Sequence, residues 1–494
     1  MADEKQLLTV RMYRGILGDC FLLRYQSGGR TRHALIDCGV LQGTAGGATR
    51  IREIARNIAD TCNGTLDLLV VTHEHADHLS GFAQAASVFF GELEISELWL
   101  AWTENPADDV AQTLRAKMGL AKLALEHVQP LAAHGDAAGH ETLRSLANFV
   151  GIDRLDSYDQ AFLQDFLPAR QSDQMAATEV TGQRMTGKEV LAALQRKARK
   201  VKYLRPGMVH SPDWNDGNEV PLRTYVLGPP RSENKLKELG LGKAAHDDAI
   251  YLVTSQDARS LLAMEVEGSD VGGVGSNASV SPFDNRFRGI SLDTAVESDF
   301  LKEHYSPGDK RRIDDLWLGG AEALALKLDN DTNNTSLVLA FELDNGDVAL
   351  FAADAQVGNW LSWGDQTYPA SPTDSTVPAP AGKTVEELLS RVVLYKVGHH
   401  ASHNATLKAR GLELMTSPDL CAMIPLVEEV ARNQGSKGWD MPDAQLYEAL
   451  KTKTVGRIVR GDHIPPKEPF RKSKLALHFN NHDNYVELKL AAPF

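Results

Sequence analysis

A cluster of histidine and acidic side chains, THEHADH at residues 72–78, most constrains what this chain can fold into. It follows the apolar run LDLLVV, which is typical of a strand buried on both faces. Alternate residues of an extended segment point the same way, so His73 and His75 can bind one ion together. Asp77 and His78 follow as the chain turns into a helix and can bind a second ion. A polar surface loop is the alternative interpretation, and four ligand-type side chains at the end of a buried strand argue against it.

Two later strands also end in ligand-type residues. LFAADA places Asp354 just after an apolar run, and YKVGHHAS does the same for His399 and His400. We expect these three strand ends to converge on one edge of a sandwich. Imidazole and carboxylate ligands without thiolates suit Zn²⁺, with Mn²⁺ or Fe²⁺ as alternatives.

The pattern of apolar residues predicts an α/β protein in four segments. Residues 1–103 follow a β-β-β-α-β-loop-α-β order, which indicates half of a mixed sandwich. Residues 104–220 are rich in Ala and Leu and predict a helical insertion, and 221–332 predict a strand followed by a long loop-rich insertion. The second half, 333–494, starts with two strands joined by DNGD, a strong hairpin signal.

Composition limits the partners and the location. The 494 residues have a formal net charge of -14, which argues against a broad electrostatic surface for nucleic acid, although a local basic groove is possible. No apolar run approaches the ~18 residues of a membrane span, and the N-terminus lacks the pattern of a signal peptide. The sequence therefore predicts a cytoplasmic protein without a membrane partner. Its four cysteines have no CxxC spacing and are expected to be buried thiols.

The order of these motifs resembles that of the metallo-β-lactamase fold hydrolases. THEHADH is similar to the HxHxDH signature of that superfamily, ALIDCG precedes it, and FAADA and GHHAS follow it. The closest similarity is to the soluble hydrolase domain of ComEC-type DNA-uptake proteins, through LGDCFLL, NNTSLVL and HHAS. The resemblance covers about 1–100 and 333–464. It implies a four-layer αββα sandwich of the metallo-β-lactamase type with a largely helical insertion.

The resemblance also implies that six side chains hold two metal ions. The first ion takes two histidines, the second takes one aspartate and two histidines, and another aspartate bridges both. In that order the residues are His73 and His75; Asp77, His78 and His399; and Asp354.

Further residues gain expected roles from the same resemblance. Asp37 would orient a ligand histidine, and Ser402 would position a ligand or the substrate. The family's remaining histidine has no counterpart here, because Asn333 and Asn334 occupy its place. Asn334 is therefore expected to approach the metal or the substrate, while His210 and His246 could replace the histidine only if the insertion folds back.

The expected chemistry is hydrolysis by a metal-bound hydroxide, since a bound metal lowers the pKa of water to roughly 7. Asp77 and Asp354 would orient the hydroxide, and His400 or His403 would donate a proton to the leaving group. The leading substrate is a phosphodiester in nucleic acid or a nucleotide. The alternatives are a small-molecule lactone, amide or thioester, and a non-catalytic metal-binding regulatory module.

Overall fold

The structure, a computed structural model, describes residues 6–41, 44–132, 155–156, 184–214, 220–237, 316–369, 382–434, 438–479 and 484–491. The predicted loop-rich segment within 238–315 and residues 133–154, 157–183 and 215–219 of the predicted helical insertion lie outside these residues. No helix of the described part is both long enough and apolar enough to cross a lipid bilayer.

The described part of the chain contains both strands and α-helices. The strands are β1 Leu7–Tyr13, β2 Cys20–Ser27, β3 Arg30–Cys38, β4 Thr65–Val70, β5 Glu94–Ala101, β6 Leu155–Asp156, β7 Arg184–Met185, β8 Lys200–Leu204, β9 Val209–His210, β10 Arg223–Gly228, β11 Val338–Glu342, β12 Val348–Phe351, β13 Val392–Lys396, β14 Cys421–Ile424, β15 Ile458–Arg460, β16 Leu475–Phe479 and β17 Tyr485–Ala491. The α-helices are α1 Gly47–Thr61, α2 Ala76–Gln84, α3 Asp109–Ala132, α4 Gly187–Lys197, α5 Glu233–Leu236, α6 Leu316–Asn333, α7 Val357–Ser362, α8 Val385–Ser390, α9 Glu428–Arg432 and α10 Ala444–Lys453.

Two mixed sheets organise these strands, which confirms the predicted α/β class. The first has the order β16-β17-β1-β2-β3-β4-β5-β8, and the second has the order β15-β14-β13-β12-β11-β10-β9. Strands β3, β4, β5 and β8 are parallel neighbours, as are β12 to β15. Parallel neighbours end at the same edge of a sheet, so each sheet gathers the residues that follow its central strands.

Three apolar clusters hold the sheets and helices together. One contains side chains from both sheets, including Phe21 on β2 and Phe351 on β12, whose rings pack edge to face with centroids 5.6 Å apart. A second joins the first sheet to α1, α2 and α4, because the apolar positions of α1, such as Ile51, Ile54 and Ile58, recur at helical spacing. The third joins the second sheet to helices that include α7 and α8.

The order of elements matches the sequence-based prediction in the first half and around the hairpin. Strands β1 to β3, α1, β4, α2 and β5 follow the expected order, and DNGD joins the antiparallel strands β11 and β12. β8 lies within 104–220, where the sequence predicts a helical insertion, and it extends the first sheet beside β5. Its sequence KVKYL mixes lysines with apolar residues and most of its side chains are only partly buried, so its apolar signal is weaker than that of strands buried on both faces.

A close backbone approach sets where α2 begins. Gly39 follows β3, and a Cβ added there would overlap the backbone of Asp77 and His78. Backbone hydrogen bonds reinforce this contact, since the Asp19 N–H donates to the Asp77 carbonyl and the Gly39 N–H donates to the Asp19 carbonyl, both at 3.0 Å. The absence of a side chain at residue 39 therefore allows the first turn of α2 to lie against the β3 end.

We expect Gly39→Ala to lower the free energy of unfolding by about 1–3 kcal/mol or more, because the new methyl group must displace backbone. Urea unfolding of the purified variant measures the change. Gly119→Ala is the matched control, since a Cβ at this exposed helical position meets nothing, and it should be neutral or slightly stabilising. Equal stability of the Gly39 variant and the wild type would contradict the close-approach argument.

Candidate metal centre

Strand ends from the two sheets meet at one buried cluster of side chains. His78 Nε2, on α2, lies 3.2 Å from Asp354 Oδ2, just after β12. His400 Nε2, after β13, lies 2.8 Å from Asp77 Oδ2 across 323 residues of sequence. These contacts bring the THEHADH motif together with the two later strand ends, as the sequence indicated.

Four residues in this cluster can hold a metal ion. Asp19, His78, Asp354 and His400 each offer one ligand atom, and these atoms all lie within 4.8 Å of one another. All four side chains are buried. Asp19 comes from the loop before β2 and was not among the ligands predicted from the sequence.

Asp37 determines the orientation of His78. Its Oδ1 accepts the Thr72 N–H at 2.8 Å, and its Oδ2 accepts the Thr72 hydroxyl at 2.7 Å. Oδ2 also lies 2.8 Å from His78 Nδ1. Because a carboxylate only accepts hydrogen bonds, His78 donates through Nδ1 and turns Nε2 toward Asp354. Asp37 thus has the geometry of the orienting role that the resemblance implies.

His399 and His400 follow β13 and have different hydrogen-bond partners. The sequence predicts His399 as a ligand of the second ion and His400 as a proton donor. In the structure His400 belongs to the group of four, and its Nδ1 lies 2.8 Å from the Pro425 carbonyl, which holds the ring with Nε2 toward Asp77. His399 Nδ1 lies 2.9 Å from Ser402 Oγ, and its role as a ligand stays a prediction.

The backbone conformation sets the different directions in which these two neighbouring histidines point. Residues His399, His400 and Ala401 have φ angles of 42°, 51° and 66°, a run of left-handed conformations that is rare outside glycine. Strand alternation therefore ends before His399, and the spacing of the sequence motif cannot say which imidazole faces the cluster.

Lys396 places a buried positive charge beside the candidate ligands. Its ammonium lies 2.5 Å from Asp19 Oδ2 and 3.3 Å from Asp354 Oδ1, and it donates to the Ala353 carbonyl at 2.8 Å. Burial disfavours the charged form, but Asp19 and Asp354 raise the pKa of Lys396 above its usual value. Sequence analysis missed this residue because it looked like one position in an apolar strand.

Several buried polar atoms at the cluster lack a hydrogen-bond partner within the described residues. They are Asp19 Oδ1, Asp77 Oδ1, His78 Nε2 and Asp354 Oδ2. Leaving buried polar atoms unsatisfied costs about 1–3 kcal/mol each. A divalent cation would satisfy such atoms, and the nitrogen and oxygen donors suit Zn²⁺, Mn²⁺ or Fe²⁺. The residues present therefore fit a metal ion, whose identity the donor set alone does not fix.

The titratable groups of the cluster shift one another's pKa values. Burial opposes the charged form of His78, but Asp354, Asp77 and nearby carboxylates raise the pKa of His78 well above its usual value. Burial would raise the pKa of Asp77, but His78 and His400 lower it to about 2. The metal-free cluster thus keeps a proton on His78, which a metal ion would displace on binding.

His73 and His75 lie beside this cluster with their rings in contact. His73 Nε2 is 3.1 Å from His75 Nδ1, and His75 Nε2 is 3.8 Å from Asp329 Oδ1 on α6. Burial lowers the pKa of His75 to about 4, and it lowers the pKa of His73 well below the usual value. Asp329 was also missed, because DNDTNN looked like an incomplete calcium loop in the sequence.

Two other predicted residues have no hydrogen bond to the group of four among the described contacts. The Asn334 side chain donates to the Leu236 carbonyl at 3.0 Å and accepts the Asn359 N–H at 3.2 Å, so it ties the start of β11 to α5 and α7. Its expected approach to a metal or substrate stays a prediction. His403 is exposed, and no hydrogen bond or ion pair found among the described residues joins it to the cluster.

His210 does not replace the missing histidine either, because it lies on β9 with Nε2 2.7 Å from Lys202 Nζ. His246 lies outside the described residues.

Comparison with known proteins adds no identity to this geometry. No protein-family model matches the chain, and no curated protein matches it. The similarity of its motifs to those of the metallo-β-lactamase fold hydrolases therefore stays a prediction.

The histidines with lowered pKa predict acid sensitivity of the metal-free protein. Burial lowers the pKa of His75 and of His399 to about 4, against roughly 6.5 in an unfolded chain. Between these values the unfolded state binds more protons. Stability should therefore be complete above about pH 6.5 and fall by up to about 3 kcal/mol per histidine as the pH approaches 4.

Urea unfolding with a chelator at several pH values measures this loss. His399→Gln should flatten the decline, because the residue that takes up the proton on unfolding is gone. His403→Gln, at an exposed position, should leave the curve unchanged. A decline of equal size in the His399 variant would contradict the assignment.

Lys396→Met should destabilise the metal-free protein by about 3–5 kcal/mol, because two buried carboxylates lose their cation. Added Zn²⁺ should raise the melting temperature of this variant more than that of the wild type, since the ion can compensate the same carboxylates. Thermal unfolding with chelator and with Zn²⁺ gives both values.

Lys202→Met is the control for this experiment. Lys202 pairs with Glu97 and Asp213 in the first sheet and has no contact with the cluster residues. Zinc should stabilise it no more than the wild type. Full stability of Lys396→Met in chelator would contradict a charge-balancing role for Lys396.

Proposed function

We propose that the protein is a metal-dependent hydrolase that acts on a phosphodiester in a nucleotide or nucleic acid. The observation that carries the proposal is the buried group Asp19, His78, Asp354 and His400, whose ligand atoms lie within 4.8 Å of one another. A catalytic metal site needs a polar group beside its ligands, and Asp77, which is not one of the four, has a buried Oδ1 without a hydrogen-bond partner among the described residues.

The proposal includes the finer fold and its family. A four-layer αββα sandwich of the metallo-β-lactamase type is supported by an apolar cluster between the two sheets and by helices packed on their other faces. It is also supported by the order of the motifs along the chain. Fold alone does not fix the substrate, so the phosphodiester rests on the similarity of NNTSLVL and HHAS to ComEC-type hydrolase domains.

The chain's own residues would prepare the reaction. A bound divalent cation supplies a water of lowered pKa and stabilises negative charge on the substrate oxygen. His78 and His400 would hold it through Nε2, because Asp37 and the Pro425 carbonyl occupy their Nδ1 atoms. Asp77 Oδ1 would accept a proton from the attacking water. Lys396 would keep Asp354 Oδ1 engaged, so that Oδ2 faces the cation.

A small-molecule lactone, amide or thioester is a second candidate substrate. A cavity of about 750 Å³ lies among loops that follow β1, β14 and β15, and its lining includes Arg14, Glu428 and Asp462. That volume is in the range of small-molecule pockets. The formal net charge of -14 also disfavours a broad electrostatic surface for long nucleic acid.

The test begins with the bound metal of the purified protein and three substrates: bis-p-nitrophenyl phosphate, single-stranded DNA and a lactone. We expect phosphodiester turnover that falls at least about 100-fold in Asp354→Asn and in His400→Ala, because each removes a group that stabilises the reacting charge. His403→Ala is the matched histidine control and should keep its activity.

The alternatives give different results in the same experiment. Turnover of the lactone alone would replace the phosphodiester with the small-molecule substrate. Bound metal without turnover of any substrate would favour a non-catalytic metal-binding module. Unchanged turnover in both cluster variants would overturn the assignment of the site.

A further inference from the structure

Asp329 is a buried carboxylate that no step of the proposed reaction uses. It lies on α6 and is 9% exposed. Its Oδ2 accepts a hydrogen bond from Asn333 Nδ2 at 3.3 Å, while its Oδ1 has no hydrogen-bond partner within the described residues. A buried carboxylate oxygen without a donor is costly, so its retention beside the cluster calls for a physical reason.

An imidazole of the THEHADH motif lies beside Asp329 Oδ1. Asp329 Oδ1 lies 3.8 Å from His75 Nε2, which is beyond hydrogen-bond distance but within ion-pair reach. The opposite nitrogen of the ring, Nδ1, lies 3.1 Å from His73 Nε2. His75 is thus placed between a carboxylate on one side and a second imidazole on the other.

Hydrogen-bond directions at His73 determine which of its nitrogens carries a lone pair toward His75. The Thr72 hydroxyl donates to Asp37 Oδ2, so its oxygen can only accept from His73 Nδ1, which lies 3.1 Å away. His73 then has its proton on Nδ1 and a lone pair on Nε2. This lone pair points at His75 Nδ1.

Without an ion, the 3.1 Å contact is a hydrogen bond that His75 Nδ1 donates to His73 Nε2. In the other tautomer of His75 the proton is on Nε2, which faces Asp329 Oδ1. Both facing nitrogens then have lone pairs, which repel unless a cation binds them. Either protonation state of Asp329 leaves an oxygen that can accept a hydrogen bond from Nε2.

We propose that Asp329 is a positioning residue for a first metal ion, and that it accepts a hydrogen bond from His75 Nε2 so that His75 Nδ1 and His73 Nε2 bind the ion together. This inference rests on the proposed metal-dependent function. The resemblance predicts a further histidine ligand for this ion, where the chain has Asn333 and Asn334. Asp329 would not replace that ligand, because it acts on the ion only through His75. A carboxylate behind a ligand histidine holds the ring and raises its basicity.

The test compares zinc binding by the full-length wild type, Asp329→Leu, Asp329→Asn and Asp331→Leu, using competition with a chromophoric chelator. The wild type should bind two ions. Asp329→Leu should keep one at wild-type affinity and weaken the other by about 10- to 100-fold, the usual cost of losing such a partner. Asp329→Asn keeps an accepting oxygen and should recover part of the affinity.

Asp331→Leu is the matched control, because this carboxylate on the same helix pairs with Lys327 rather than with a histidine. It should bind both ions as the wild type does. Thermal unfolding in chelator shows whether each variant is folded. A crystal structure of the zinc-loaded wild type should place Asp329 Oδ1 within about 3.2 Å of His75 Nε2.

Two outcomes would overturn the inference while leaving the proposed function intact. One is binding of both ions by Asp329→Leu at wild-type affinity, and the other is loss of both ions in that variant, since the effect must be confined to one. A wild-type protein that binds no zinc, Mn²⁺ or Fe²⁺ would overturn the proposed function and this inference together.

Discussion

The carboxylate of Asp37 is the contact on which the geometry of the whole centre depends. It ends β3, accepts two hydrogen bonds from Thr72 after β4, and orients His78 on α2. Three elements of the first sheet region are therefore fixed to one another by a single side chain that is fully buried. Asp37 itself has a left-handed φ of 54°, a conformation that costs of order 1–3 kcal/mol and persists only when its surroundings hold it. The hydrogen bonds that position the histidine also stabilise this backbone.

Charge balance explains how so many acidic groups can be buried together. The ammonium of Lys396 neutralises part of the charge on Asp19 and Asp354, and the protonated His78 neutralises more. Neither cation reaches every carboxylate oxygen, since one oxygen on each of Asp19, Asp77 and Asp354 keeps no hydrogen-bond partner in the described part of the chain. The protein can therefore fold around its own cations and still have acceptors left for a divalent ion. The same carboxylates can pair with protein cations through one oxygen and bind an ion through the other.

The general placement of the site was predictable, whereas several of its contacts were not. Apolar runs that end in Asp or His showed which strand ends would meet, because parallel neighbours finish at one sheet edge. The directions in which the His399 and His400 side chains point could not be predicted, since they depend on left-handed backbone in a turn. Lys396 and Asp329 were missed because a single charged residue in a strand or helix gives no pattern, and its partners lie far away in sequence. The contacts of Asn334 were also not predictable, because its partners Leu236 and Asn359 lie far away in the sequence.

The 323 residues between Asp77 and His400 have a consequence for how the protein is made. During synthesis the Asp37–Thr72–His78 arrangement can form early, because its members lie within one contiguous part of the chain. Asp354, Lys396 and His400 emerge only after most of the polypeptide has left the ribosome, and closing so long a loop is slow compared with local pairing. Metal ions would consequently have no complete site to bind on a nascent chain. Strands β16 and β17 of the first sheet are made later still, so ion loading would be a late event that reports the docking of both sheets.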